Sequence, residues 1–127
     1  IIIPALANDK IVVCDRYIYS TIAYQGQGRG LNSELISSLN KIASIGLLPE
    51  MVILLDLPLE EGFRRKSDHN LDRIELAGEA FHSRVRQSYL SQAREDPTRW
   101  LVLDATTSQS EISAMVWKQV SNLLSIR

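Results

Sequence analysis

The chain has 127 residues, 45% of them hydrophobic and 23% charged, with a formal net charge of −1 and one cysteine. Such a length holds a single domain at most, spanning 1–127, with a modest core; the near-neutral balance of an ordinary soluble protein leaves no electrostatic footprint for duplex nucleic acid or an anionic membrane. A lone cysteine excludes an internal disulfide and fits a reducing cytoplasm.

Ile1 to Ala7 reads as the tail of a helix, without a basic leader and too short to cross a bilayer. An opening inside an apolar element leads us to expect further residues upstream. Asn8-Asp9-Lys10 is turn chemistry. Ile11, Val12, Val13 and Cys14 then form an unbroken apolar run, predicted to be a strand buried on both faces with Cys14 as a small buried hydrophobe. The run stops at Asp15-Arg16-Tyr17. Ligands of parallel sheets collect outside the carboxyl ends of the strands, so a charged pair there points to chemistry. The arginine fork suits a phosphate, and a neighbouring carboxylate can orient it, hold a magnesium shell or accept a proton. The plainer alternative is that Asp15 caps the next helix and Arg16 is solvated. Ser20, Thr21, Tyr24 and Gln25 follow at helical spacing, so their polar groups can line one pocket beside Arg16. Gly26, Gly28 and Gly30 are predicted to form a flexible exit loop.

Asn32 is a good N-cap for a helix in which Leu31 can staple against Ile36, and Leu35, Ile36, Leu39, Ile42 and Ala43 give one apolar stripe. Gly46 is placed to end it. Met51 to Leu55 is a second wholly apolar strand, which argues for a central parallel position, and it ends on Asp56 with a structural role. Pro58 opens the short helix Leu59 to Lys66, whose last turn carries Arg64, Arg65 and Lys66; these read equally as a solvated basic end or as a nucleotide contact. Asp72-Arg73-Ile74-Glu75 is a charged helix start with local pairing. From Glu79 to Asp96 a long helix is predicted, with Phe81, Val85, Tyr89, Leu90 and Ala93 as its core face and Arg84, Arg86 and Arg94 outside. Two histidines, His69 and His82, are too few and too poorly spaced for a metal site made of side chains. Trp100 to Leu103 is the third strand, and Ser108 with Glu111 has capping-box spacing. Ile112, Met115, Val116, Val120, Leu123 and Leu124 make the buried stripe of a closing helix.

The string PALANDKIVVCDRYIYSTIAYQGQGRG from Pro4 to Gly30, followed by PEMVILLDLP, LDRIE and VLDAT in that order, closely resembles the bacterial thymidylate kinases over almost the whole chain. The resemblance implies an α/β fold, a P-loop kinase-like parallel sheet flanked by helices, here the C-terminal portion with the N-terminal P-loop strand and helix absent from these residues. It implies transfer of the γ-phosphoryl group of ATP to dTMP with Mg²⁺, in a cytoplasmic homodimer. Arg16 would then clamp the dTMP phosphate, with Asp15 organising the magnesium and the acceptor oxygen. Ser20 would line the same pocket, Thr21 and Gln25 would meet the thymine edges, and Tyr24 would press on the sugar and disfavour a 2′-hydroxyl. Asp72 and Glu75 would lie near the deoxyribose and phosphate of the acceptor, Arg73 would face the phosphates, Arg65 would neighbour the ATP base and the loop at Thr106 would lie near adenine. Where the family carries arginines in its lid, this chain has Ser67-Asp68-His69-Asn70, a departure that bears on the lid's share of catalysis.

No string of the form G-x-x-x-x-G-K-[ST] occurs in the 127 residues, so catalysis by this polypeptide alone is not expected. In the implied fold, the strand that feeds the P-loop lies between Ile11–Cys14 and Met51–Leu55. Without it two apolar edges face a gap, which predicts either a portion of a larger kinase or a fragment that repairs its sheet by association. Two other readings stay open: a silent nucleotide-binding module, and a deoxynucleoside kinase.

Overall fold

The computed structural model describes residues 1–66 and 78–125. In chain order these form α1 (Ile2–Leu6), α2 (Ile18–Thr21), a π-helix (Ile22–Gly28), α3 (Ser33–Ala43), β1 (Val52–Asp56), α4 (Leu59–Lys66), α5 (Gly78–Glu95), β2 (Trp100–Asp104) and α6 (Gln109–Ser125). The strands are parallel, in register from Val52 opposite Trp100 to Asp56 opposite Asp104. Both therefore deliver a carboxylate to the same end of the sheet. Among the described residues no helix is long and apolar enough to cross a membrane.

The helix boundaries follow local chemistry. The Asn32 side chain accepts the Leu35 amide at 2.9 Å, the N-cap expected there. At the start of α6, Ser108 N donates to Glu111 Oε2 at 3.1 Å and Glu111 N donates to Ser108 Oγ at 3.3 Å, which completes the capping box. Helix α5 organises the rest, packing against the π-helix, α2, α4 and β2. Its buried residues are Val85, Ser88 and Ala93, while Phe81, Tyr89 and Leu90 are half-buried. The Tyr19 ring meets Trp100 edge-on at 4.9 Å and ties α2 to the sheet.

Four expectations need correction. Ile11–Cys14 is not a strand: Ile11 is 66% and Val13 92% exposed, and Cys14 is exposed with its thiol donating to the Arg16 carbonyl at 3.2 Å. An apolar run becomes a strand only where a neighbour completes its backbone hydrogen bonds, and the described sheet has two strands rather than three. β1 is likewise not buried on both faces; Ile53 and Leu55 are exposed while Val52, Leu54 and Asp56 are half-buried. Gly26 and Gly28 are buried inside the π-helix and form no exit loop. Lacking a side chain, Gly28 lets this segment lie close against Phe81 and Val85 of α5. Only Gly30, at φ 72°, takes the left-handed backbone of a turn.

The fourth concerns the faces of the helices. In α3 the inward line is Ile36, Asn40 and then Ser44 at its C-cap, while Leu35, Leu39 and Ile42 stand exposed. Asn40 turns inward and its amide donates to the Ile18 carbonyl at 3.0 Å, which ties α3 to the start of α2. In α6 the stripe is only half-buried at Ile112, Val116, Val120, Leu123 and Leu124, and Met115 is exposed. On α5, Arg84 and Arg86 are not simply solvated: Arg84 reaches across to the π-helix, and Arg86 closes on Asp56.

Candidate active site

The turn after Cys14 places Arg16 at φ 66°, left-handed backbone that a side-chain-bearing residue adopts at a cost of about 1–2 kcal/mol. Its guanidinium carbon lies over the Tyr24 ring, 5.1 Å from the ring centroid. Arg16 forms no salt bridge with a carboxylate among the described residues, so its fork of donors is open to a ligand. Tyr24 comes from the π-helix, in which Arg29 N reaches back five residues to the Tyr24 carbonyl at 3.1 Å. Such wide turns occur often at functional sites because they re-aim side chains out of helical step.

Helix α5 forms the far wall. Phe81 and Tyr89 meet the Tyr24 ring edge-on, with centroids 6.0 and 6.4 Å away. The Tyr89 hydroxyl lies 2.7 Å from Ser20 Oγ, and burial pushes its phenol pKa up. Arg84 Nε and Nη2 donate to the Gly28 carbonyl at 3.2 and 2.9 Å, and Gln92 donates to the Tyr19 carbonyl at 3.3 Å. The side chains of Thr21 and Gln25 bond to nothing among the described residues, which leaves a hydroxyl and an amide free to read a polar ligand edge.

A second group sits at the carboxyl end of the sheet. Glu61 on α4 accepts from both Arg64 and Arg65 at 2.8 to 2.9 Å, and these two cations, Arg64 foremost, hold its carboxyl down from 4.5 to about 2. Arg65 also donates to the Ala105 carbonyl at 3.2 Å, next to Thr106. Asp104 fixes that loop by accepting the Thr106 amide at 2.8 Å and its hydroxyl at 2.6 Å, bonds that hold the Asp104 carboxyl below its ordinary value. The structure thus brings Arg65 and Thr106 to one edge.

Between the two groups, a cleft of about 250 Å³ is walled by Asp56, Phe63, His82, Val85, Arg86 and Tyr89 among others. Arg86 donates to both Asp56 oxygens, at 2.7 and 2.9 Å, so this carboxylate is structural, as expected for it. Tyr89 touches both the cleft and the Arg16 group. Sequence reasoning placed Tyr89 and Phe81 in the core; their spacing of eight along α5 showed a shared face, but nothing local showed that the face meets Tyr24. Asp72, Arg73 and Glu75 lie outside the described residues, as does the stretch Ser67-Asp68-His69-Asn70.

Among the described residues no three His, Cys, Asp or Glu side chains converge as a metal cage. Asp15, exposed and without a hydrogen-bond partner among the described residues, fits the one demand that magnesium makes of a protein when phosphates and water fill most of its shell.

A protein-family model described as Thymidylate kinase matches residues 1–116. Among curated proteins, the chain is 46% identical over 124 residues to a thymidylate kinase of Cutibacterium acnes, covering 98% of this chain and 60% of that protein. It is 43% identical to one of Thermomicrobium roseum, covering 95% and 59%. A crystal structure of thymidylate kinase from Ehrlichia chaffeensis superposes with a TM-score of 0.61 at 35% identity, over 81% of this chain and 47% of that one. The chain thus spans about 60% of the length of the curated relatives it matches. With a parallel sheet flanked by helices, an open arginine after the first turn and a match over nearly its whole length, this chain belongs to the thymidylate kinase family.

Proposed function

We propose that the protein built on this chain transfers the γ-phosphoryl group of ATP to dTMP, giving dTDP, as a cytoplasmic homodimer. The observation that carries this reading is Arg16: a guanidinium on left-handed backbone, over the Tyr24 ring and without a salt bridge among the described residues. Phosphoryl transfer asks a protein mainly to hold donor and acceptor in line and to stabilise charge. Arg16 grips the acceptor phosphate with two parallel N–H donors, while Tyr24 both backs the guanidinium and bounds the sugar. Thr21 and Gln25 read the thymine edges. Asp15 would hold Mg²⁺, which when bound neutralises phosphate charge. Arg65, kept in place by Glu61 and Ala105, meets the ATP base with the Thr106 loop. By family position Asp72, Glu75 and Arg73 complete the acceptor and phosphate contacts. The exposed apolar side chains of Leu35, Leu39 and Ile42 on α3 support pairing of two copies.

The test uses the protein as its gene encodes it, with calorimetry for dTMP and a coupled assay for ADP. Arg16→Ala is expected to weaken dTMP binding about 10- to 100-fold, the weight of a charge-assisted bidentate contact. Unchanged dTMP affinity overturns the assignment. Binding of dTMP without ADP release marks instead a nucleotide-binding module, and preference for thymidine over dTMP marks a deoxynucleoside kinase.

A further inference from the structure

The spacing of Ser20 predicts a hydroxyl that lines the substrate pocket, yet in the structure that hydroxyl is engaged. Ser20 Oγ and the Tyr89 hydroxyl are 2.7 Å apart and both half-buried. The Tyr89 ring meets Tyr24 edge-on at 6.4 Å, and Tyr24 carries the Arg16 guanidinium at 5.1 Å. A ring held at its edge by a second ring, whose hydroxyl is pinned in turn, has few ways to tilt. A guanidinium over a ring face follows the tilt of that face. We infer that Tyr89 is a positioning residue: through Ser20 and Tyr24 it sets where the Arg16 guanidinium sits, and the Ser20 hydroxyl serves Tyr89 and makes no contact with substrate. Helix α5 thereby governs the fit of an acceptor that it reaches only through two intermediaries. The inference rests on the proposed function for the identity of that acceptor, dTMP, and on the contacts among Ser20, Tyr89, Tyr24 and Arg16 alone for the linkage.

Two measurements on the full protein separate these. Without any ligand, the Arg16 guanidinium over the Tyr24 ring is expected to have its Nε–H proton signal shifted by the ring current. Tyr89→Phe and Ser20→Ala are each expected to move it towards the value of a free arginine by the same amount, and the double variant is expected to move it no further. With ligand, each single variant is expected to raise the KM for dTMP about fivefold, the weight of one neutral hydrogen bond, with kcat and the KM for ATP unchanged and the double variant no worse than either single. An Arg16 signal that stays put in Tyr89→Phe overturns the inference. So does a double variant whose effects add, because Ser20 would then act on substrate directly. If the unaltered protein binds no dTMP, the functional reading fails, while the Arg16 signal still decides the linkage.

Discussion

Ile45 shows how a helix stop can miss its natural residue. Gly46 N donates to the Lys41 carbonyl at 3.0 Å and Ile45 N to the Ile42 carbonyl at 3.2 Å, the paired bonds of a Schellman ending. In that motif the left-handed residue is the one before the last donor. Here this is Ile45, at φ 53° and 79% exposed, while Gly46 at φ 70° occupies the next place. A β-branched side chain in that conformation is strained, and at this exposure it recovers little from burial. Ile45→Gly is therefore expected to stabilise the protein by about 0.5–1 kcal/mol, after the entropy that glycine adds to the unfolded chain. Leu39→Gly, in the body of α3, is expected to destabilise by about 1 kcal/mol. Urea midpoints at constant slope read both, and a fall for Ile45→Gly removes the strain argument. The sequence pointed to the right turn and missed the residue, because glycine is read as a stop wherever it stands while the cap is fixed by which amides close the last turn.

The π-helix is the element whose geometry the sequence concealed. A Cβ on Gly28 would lie 2.8 Å from Phe81 Cε2, 3.0 Å from Val85 Cγ2 and 3.1 Å from the Ala23 carbonyl, whereas a Cβ on Gly26 would meet nothing within 4 Å. Two glycines of one element should thus respond in opposite ways. Gly28→Ala pushes the segment off α5 and should cost about 1–3 kcal/mol in denaturant unfolding. Gly26→Ala should be neutral or stabilising by a few tenths of a kcal/mol, through helix propensity. Equal losses would mean that contact with α5 does not explain Gly28. Reading three glycines as a loop was reasonable from composition, but whether a glycine marks freedom or close approach depends on Phe81 and Val85, more than fifty residues away. The same division holds elsewhere. Asn32, the Ser108 and Glu111 box, and the length of α5 were legible because caps and periodicity are local. The run at Ile11–Cys14 was not, since a strand exists only with a partner; helical spacing put Tyr24 beside Arg16, but nothing local indicated that Tyr89 on α5 meets the Tyr24 ring.

At the scale of the molecule, α5 joins the helical half, with α2 and the π-helix, to the sheet with its flanking α4. Its contact at the carboxyl end of β1 is the bidentate pair of Arg86 with Asp56, side chains 33% and 22% exposed. Its hydrogen bonds to the Asp56 carboxylate raise the Arg86 pKa further above its ordinary value. Partial burial makes the pair worth more than a surface bridge, yet removing one partner costs chiefly because the other is left desolvated and alone. Asp56→Ala and Arg86→Ala are each expected to destabilise by about 1–2 kcal/mol, and the double variant by at least about 1 kcal/mol less than their sum. The same variants should loosen the wall of the cleft that Tyr89 shares with the Arg16 group, and so raise the KM for dTMP in proportion to the lost stability. Additive losses would show that the pair does not couple the sheet to α5. A coupled loss of stability with dTMP binding intact would show that the Arg16 group is held by the π-helix and Tyr89 independently of β1.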